Sequence, residues 1–388
     1  MDVGERLAGQ ALCAISSWDE GSETHGAFYF RGAGARNRID SGIVMVLVRP
    51  MQDELSQDVL DEIRRAAFDL RRTDAQEAVR VLRKAAAQGG PAEVLARGAL
   101  GEIYLEEFGD LDGAEAEFRK VLAAAPGLPA AELGLARVQR ESGRKAQADA
   151  GLLRALRGLE HDVATFRESR PPAGAEEVVL TLLEVAVELA ELRGEGATVP
   201  LDEYLLEWAA SQRLFDSEEA GETGDAQQPD QDDWVRFHSL WSELRVRTGR
   251  AQEAASALAQ AEASEELPHA DAARLRSHAL ESAGDREGAA EQARALFAEW
   301  RTASQPFAPL EALRAAALYI ATGDEPAAAS LLEETLAQVE ARLAGSPAQL
   351  DVAEKTELEA DAQRLRDALA PAPEPAPDGL VRIGLGKR

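Results

Sequence analysis

A chain of 388 residues is about two to three ordinary domains long and can bury a sizeable core. Its 42 Lys and Arg stand against 70 Asp and Glu, a formal net charge of −28. That excess argues against nucleic acid or an anionic membrane surface as the main partner, since both require basic patches. Apolar residues make up 45% of the chain and aromatics 5%, and Ala supplies about a fifth, which favours an all-α protein with closely packed helices, Ala being the strongest helix former. The single Cys13 excludes an intramolecular disulfide, a CxxC pair and a cysteine zinc site. The longest apolar run, residues 43–48, is far short of the about 20 residues a membrane helix needs. The first residues lack a secretory pattern, and Leu12 stands before Cys13 where a lipoprotein has a small residue, so a cytoplasmic protein without a membrane span is expected.

Residues 1–50 read differently from the rest. They hold seven Gly, no Lys, and the only Cys and Asn of the chain. Two readings are open: a small β-rich piece using residues 27–30 and 43–48, or an upstream extension before a natural start at Met51. No site is expected there. From Met51 a helical text begins, with Asp53 and Glu54 in the first turn, where the helix dipole favours acids. Residues 60–70 and 75–88 read as a first, degenerate helix pair with Ala78 at its close-packing position.

From there one phrase recurs: Gly, a charged residue, then Ala five positions after the Gly. It occurs at Gly109/Ala114, Gly143/Ala148, Gly249/Ala254, Gly284/Ala289 and Gly323/Ala328. The first two glycines are 34 residues apart, and the last three are separated by 35 and 39. Self-similarity at this period is the mark of a solenoid of stacked helical hairpins. Gly ends the first helix in a left-handed backbone that other residues adopt at a cost. Ala then lets the second helix approach the first. Residues 94–126 carry Leu100-Gly101, Tyr104, Gly109-Asp110, Ala114, Phe118 and Pro126. This resembles the tetratricopeptide repeat (TPR) pattern, with one extra residue between Tyr104 and Gly109. A second copy spans 129–160, and weaker copies span 235–267, 270–301 and 309–343. The resemblance is absent from residues 1–50.

Between the copies, residues 175–193 form a strongly amphipathic helix and residues 201–215 another, an irregular helical middle over 161–215. Residues 216–233 hold eight Asp or Glu and no Lys or Arg, which predicts an acidic disordered loop. Leu350, Leu358, Leu365 and Leu369 share one side of a C-terminal capping helix. The Pro-rich tail 371–388 ends in an apolar, basic segment that reads either as a docking motif or as a frayed end. The expected organisation is therefore an α-solenoid with a first TPR-like block at 51–160, the irregular middle, and a second block at 234–370 with its cap.

No HExxH, GxxxxGK[ST] or GxSxG motif occurs, and Gly32-Ala33-Gly34 lacks the strand, helix and third Gly of a dinucleotide loop. No catalytic residue, metal or cofactor is expected, and adjacent acids such as Glu106-Glu107 read as solvated charges. Trp234, Phe237 and Trp241 fall at i, i+3 and i+7, either an aromatic platform for a peptide or the closed end of a block.

The resemblance implies a mode of action. TPR arrays bind partner peptides or helices on a concave face lined by the first helix of each pair. Carried over, the groove positions are Ala130, Leu133, Arg137 and Arg140; Arg236, Ser239, Glu243 and Val246; and Asp271, Arg274, His278 and Glu281. The Lys/Asn clamp of one TPR subclass is absent. Arg137 and Arg140, three residues apart on one face, suggest a locally basic surface for an acidic or carboxylate-ended segment, against the reading that both pair with Glu141 and its neighbours. The expected function is a non-catalytic protein-interaction scaffold. The alternative is an assembly or secretion chaperone for one client.

Overall fold

The computed structural model describes residues 55–168, 171, 174–211, 231–345 and 352–370. Expectations for residues 1–50, for most of the acidic loop and for the tail lie outside them. The described residues are helical, without strands, and fall into two compact units, one up to Gly284 and one from Asp285.

The first unit opens with α1 (Gln57–Arg65), which continues through a π-helical turn (Ala66–Leu70) and a last turn (Arg71–Thr73). There follow α2 (Ala75–Ala86), α3 (Gly90–Glu106), α4 (Leu111–Ala124), α5 (Pro129–Glu141), α6 (Lys145–Glu168), α7 (Ala175–Arg193), α8 (Glu203–Ser211), α9 (Gln231–Arg247), α10 (Ala251–Ala263) and α11 (His269–Ser282). Helices α3/α4, α5/α6 and α9/α10 are antiparallel pairs, and the next helix packs on each pair in turn: α5 on α4, α7 on α6, α11 on α10. First helices also touch one another, as α3 with α5, α7 with α9 and α9 with α11. This is the TPR-like arrangement, in which no pair buries its apolar face without a neighbour.

The recurring phrase accounts for the pairs. Gly109, Gly143, Gly249, Gly284 and Gly323 all have positive φ, between 61° and 83°, so each chain reversal uses the backbone that glycine adopts most cheaply. After Gly109, the Asp110 side chain accepts from the Gly113 amide at 3.0 Å and caps α4. Ala78, Ala114, Ala148 and Ala254 are all fully buried. Phe118 of α4 fills a space between Gly101 of α3 and Gly134 of α5, where any Cβ would overlap its ring.

The division into units differs from the expected partition. The boundary falls after Gly284, inside the stretch assigned to a second block, and the supposed irregular middle belongs to the first unit. Helix α7 buries 13 of its 19 residues, so it is covered on most sides rather than on one. Its pair partner α8 is short, and α9 packs directly on α7. Helix α9 also begins earlier than the acidic reading allowed. Asp232 and Asp233 lie in its first turn, where they face the positive end of the helix dipole.

The second unit holds α12 (Arg286–Thr302), α13 (Pro309–Ala321), α14 (Glu325–Gly345) and α15 (Val352–Leu369). Ala289 and Ala328 are buried at the close-packing positions. Phe297, Trp300 and Phe307 make edge contacts of 5.0–5.2 Å around Phe297. Helix α15 lays Leu358, Ala362, Leu365 and Ala368 against α14 and α13 and keeps charges outside, as a cap requires. Arg342–Glu354 (3.0 Å) and Arg366–Glu340 (2.6 Å) tie it to α14.

Candidate functional site

The first helices α5, α7 and α9 carry the charged positions that the resemblance placed in a groove. On α7, Glu177, Glu184, Glu188 and Glu191 follow at spacings of seven, four and three, which keeps them on one face. Arg236, Glu243 and Arg247 do the same on α9, and Arg137 and Arg140 on α5.

These side chains form two ion-pair networks along one seam, with Glu184 of one near enough to Arg137 of the other for their charges to interact. The Arg137 Nε donates to Glu188 at 2.7 Å, and Arg140 reaches the other oxygen of the same carboxylate at 3.3 Å. Arg140 also lies 3.6 Å from Glu141 and 3.9 Å from Glu191. Arg247 bridges Glu191 (2.8 Å) and Glu243 (2.6 Å). Arg236 bridges Glu177 (3.0 Å) and Glu184 (2.6 Å). Four guanidinium groups thus meet five carboxylates of α7 and α9, with Glu141 of α5 as a sixth, and the local surface is not basic.

Burial sets the electrostatics. It pushes the Glu184, Glu191 and Glu243 carboxyls above their ordinary range, with Arg236 opposing at Glu184 and Arg247 opposing at the other two. For Arg236 burial pulls downward, but Glu184 and Glu177 outweigh it and its pKa is raised. Glu184 Oε2 and Arg236 Nε are buried without a hydrogen-bond partner among the described residues.

Of the expected groove residues, Arg137, Arg140, Arg236 and Glu243 are brought together. Ala130, Leu133 and Ser239 are buried. Arg274 stands apart, paired with Asp271 on its own helix at 3.2 Å, and His278 lies half-buried one turn further along α11. Glu177, Glu184, Glu188, Glu191 and Arg247 were missed by the sequence reading, although the acids stand at a regular helical spacing within an apolar helix.

Other features are structural. Trp234 and Phe237 are buried, and Trp241 packs against Phe237 at 5.2 Å with the Arg245 guanidinium 4.2 Å over its ring, so this stripe closes the core rather than offering a platform. A shallow, open cleft of about 330 Å³ beside Arg245 is lined by Gln252, Glu253, Ser256, Ala257 and Gln260 of α10 and encloses little of what could sit in it. Among the described residues no group of His, Cys, Asp and Glu could hold a metal ion. No described helix is long and apolar enough to cross a membrane.

The described helices of each unit form stacked antiparallel hairpins, a TPR-like fold. No protein-family model matches the sequence, and no curated protein matches it. Among solved structures it is similar to a tetratricopeptide repeat protein from Parabacteroides merdae, with 12% identity and a TM-score of 0.41 over 80% of this chain and 100% of that one. It is also similar to the APC/C hetero-tetramer Cut9-Hcn1, with 14% identity and a TM-score of 0.39 over 86% of this chain and 54% of that one. A third is the Rap protein complexed with competence and sporulation factor, with 13% identity and a TM-score of 0.36 over 81% and 89% of the two chains.

Proposed function

We propose that the protein is a non-catalytic interaction scaffold that receives a segment of a partner protein along the seam of α5, α7 and α9. The carrying observation is the seam itself. Half-buried ion pairs contribute little net stability, because desolvation offsets their attraction, and apolar residues would pack the same helices at least as well. A row of them on consecutive first helices therefore has the character of a recognition surface. The helices that hold it are braced by apolar packing on their other sides, so the row is pre-organised.

The test is photo-cross-linking in the full chain. Val246 on α9 is half-buried between Glu243 and Arg247 in sequence, whereas Ala116 on α4 is exposed and away from the seam. A cross-linking residue at 246 should capture a partner, identified by mass spectrometry, that the same residue at 116 does not. Equal capture from both positions would remove the seam as the docking surface. Several partners at this position support a scaffold; one stoichiometric client supports the chaperone alternative.

A further inference from the structure

We infer that the segment received by the seam is basic, bearing Lys or Arg. This rests on the docking reading above and adds the chemistry of the partner.

Every guanidinium of the seam already has a carboxylate of this chain within 3.3 Å: Arg137 and Arg140 share Glu188, Arg236 holds Glu184 and Glu177, and Arg247 holds Glu243 and Glu191. An acidic segment would have to displace one of these carboxylates and leave it half-buried without a cation, an exchange with no electrostatic gain. The carboxylates, in contrast, are in excess. The Glu184 oxygen that has no hydrogen-bond partner among the described residues is buried, so the acceptors within reach of a partner lie elsewhere in the row. Among the seam carboxylates of α7 and α9, Glu177 and Glu191 are the most exposed, 29% and 21%, and an ionised carboxylate offers about four acceptor sites. They are the ones an incoming ammonium or guanidinium group can reach. The net charge of −28 acts in the same direction, drawing cationic segments in and repelling anionic ones.

The seam's own balance gives the inference a surplus that can be removed. Replacing Glu177 and Glu191 by Gln removes the seam's surplus of carboxylates, leaving Glu141, Glu184, Glu188 and Glu243 against four guanidinium groups, while the total charge of the protein hardly moves. Three labelled peptides of equal length, alternating Ala with Lys, Gln or Glu, would be titrated with the full-length protein by fluorescence anisotropy at about 0.15 M salt, where long-range charge is screened. The Lys peptide should bind the unaltered protein most tightly. The Glu177→Gln/Glu191→Gln variant should lose about tenfold or more of that affinity, from the loss of two charge-assisted contacts. A control variant, Glu357→Gln/Glu359→Gln, alters two exposed residues of the second unit and the same total charge, and should bind within about twofold of the unaltered protein. Circular dichroism checks that the variants fold, and Glu191→Gln alone serves if the double variant does not.

Equal losses in the seam and control variants would mean unspecific attraction and overturn the inference. Tightest binding of the Gln or Glu peptide, abolished by the seam variant, would overturn the basic class while the docking reading stood. If no peptide responds to the seam variant the inference fails, and cross-linking at Val246 decides the docking reading separately.

Discussion

Phe118 of α4 lies against the backbone of Gly134 in α5, and its ring occupies the place a side chain there would take. The same ring also lies against Gly101 of α3, where a Cβ would come within 2.7 Å. One aromatic residue thus sets the spacing of three helices. Gly134→Ala should therefore destabilise the first unit by about 1–3 kcal/mol, despite the better helix propensity of Ala, because the ring has buried neighbours and no free direction to move. A lower urea midpoint with unchanged helical signal in the folded state is the expected result; an unchanged midpoint would mean the ring can rotate aside.

Ala114 is fully buried five residues after Gly109, at the contact between α3 and α4. Ala114→Leu adds three carbons to a close-packed junction and should cost about 1–3 kcal/mol, read from the denaturation midpoint. An unaltered midpoint would show that the close-packing position lies elsewhere in the turn.

These two sites show why so much of the fold was legible. Left-handed glycines and buried alanines are demands of the hairpin itself, and they return with each repeat, so a single sequence contains several copies of the evidence. The helix Ala175–Arg193 was readable from its apolar period alone. The seam was not. Its pairs join residues about 50 positions apart, such as Arg137 with Glu188 and Arg236 with Glu184, and no local pattern announces which acid meets which guanidinium. In a chain with 70 acids, four on one helix face attract no notice. Arg137 and Arg140 were singled out because the resemblance assigns them groove positions, but their charge was read in isolation. The start of α9 was missed because Asp232 and Asp233 suit an acidic loop and a helix N-terminus equally well.

Arg236 provides a direct measure of the seam's energetics. It holds Glu184, whose side chain is 7% exposed, at 2.6 Å. Arg236→Met leaves that carboxylate buried without its main cation, and should cost about 3–5 kcal/mol. Adding Glu184→Leu should recover most of the loss, since the two apolar chains pack together. A double variant no more stable than Arg236→Met would show that the pair contributes something that packing cannot replace.

The pH dependence has a definite sign. Burial raises the Glu184 carboxyl above its ordinary range, so the folded state holds that proton at pH values where the unfolded chain has released it. Stability from this group therefore rises as pH falls from neutrality toward the unfolded value, and the ionised form is a burden at pH 7. Glu115 and Asp149 act oppositely. Hydrogen bonds from Arg144 and Arg193 lower them, and their contribution is present above the unfolded value and lost as pH falls through the folded one. The discriminating measurement is the difference between Glu184→Gln and the unaltered protein, which cancels the other groups. Gln resembles the protonated acid. Relative to the unaltered protein, the variant's urea midpoint should be highest at pH 7 and should fall toward pH 5, whatever the constant offset from the lost pairing with Arg236. A difference that is flat, or that moves in the variant's favour on acidification, would reverse the assigned sign.

The division at Gly284 predicts separable responses. Leu365 of α15 is fully buried against the second unit and has no role in the seam. Leu365→Ala should destabilise its surroundings by about 2–5 kcal/mol, through lost transfer energy and the cavity left behind. Local opening follows the local core, so amide protons of α13, α14 and α15 should exchange faster while those of α3, α4 and α5 keep their protection. Ala114→Leu should give the converse pattern, with faster exchange in α3 and α4 and no change in α15. Hydrogen exchange read by mass spectrometry resolves both. If either substitution accelerates exchange evenly from α3 to α15, the two units unfold as one and the boundary after Gly284 has no energetic meaning.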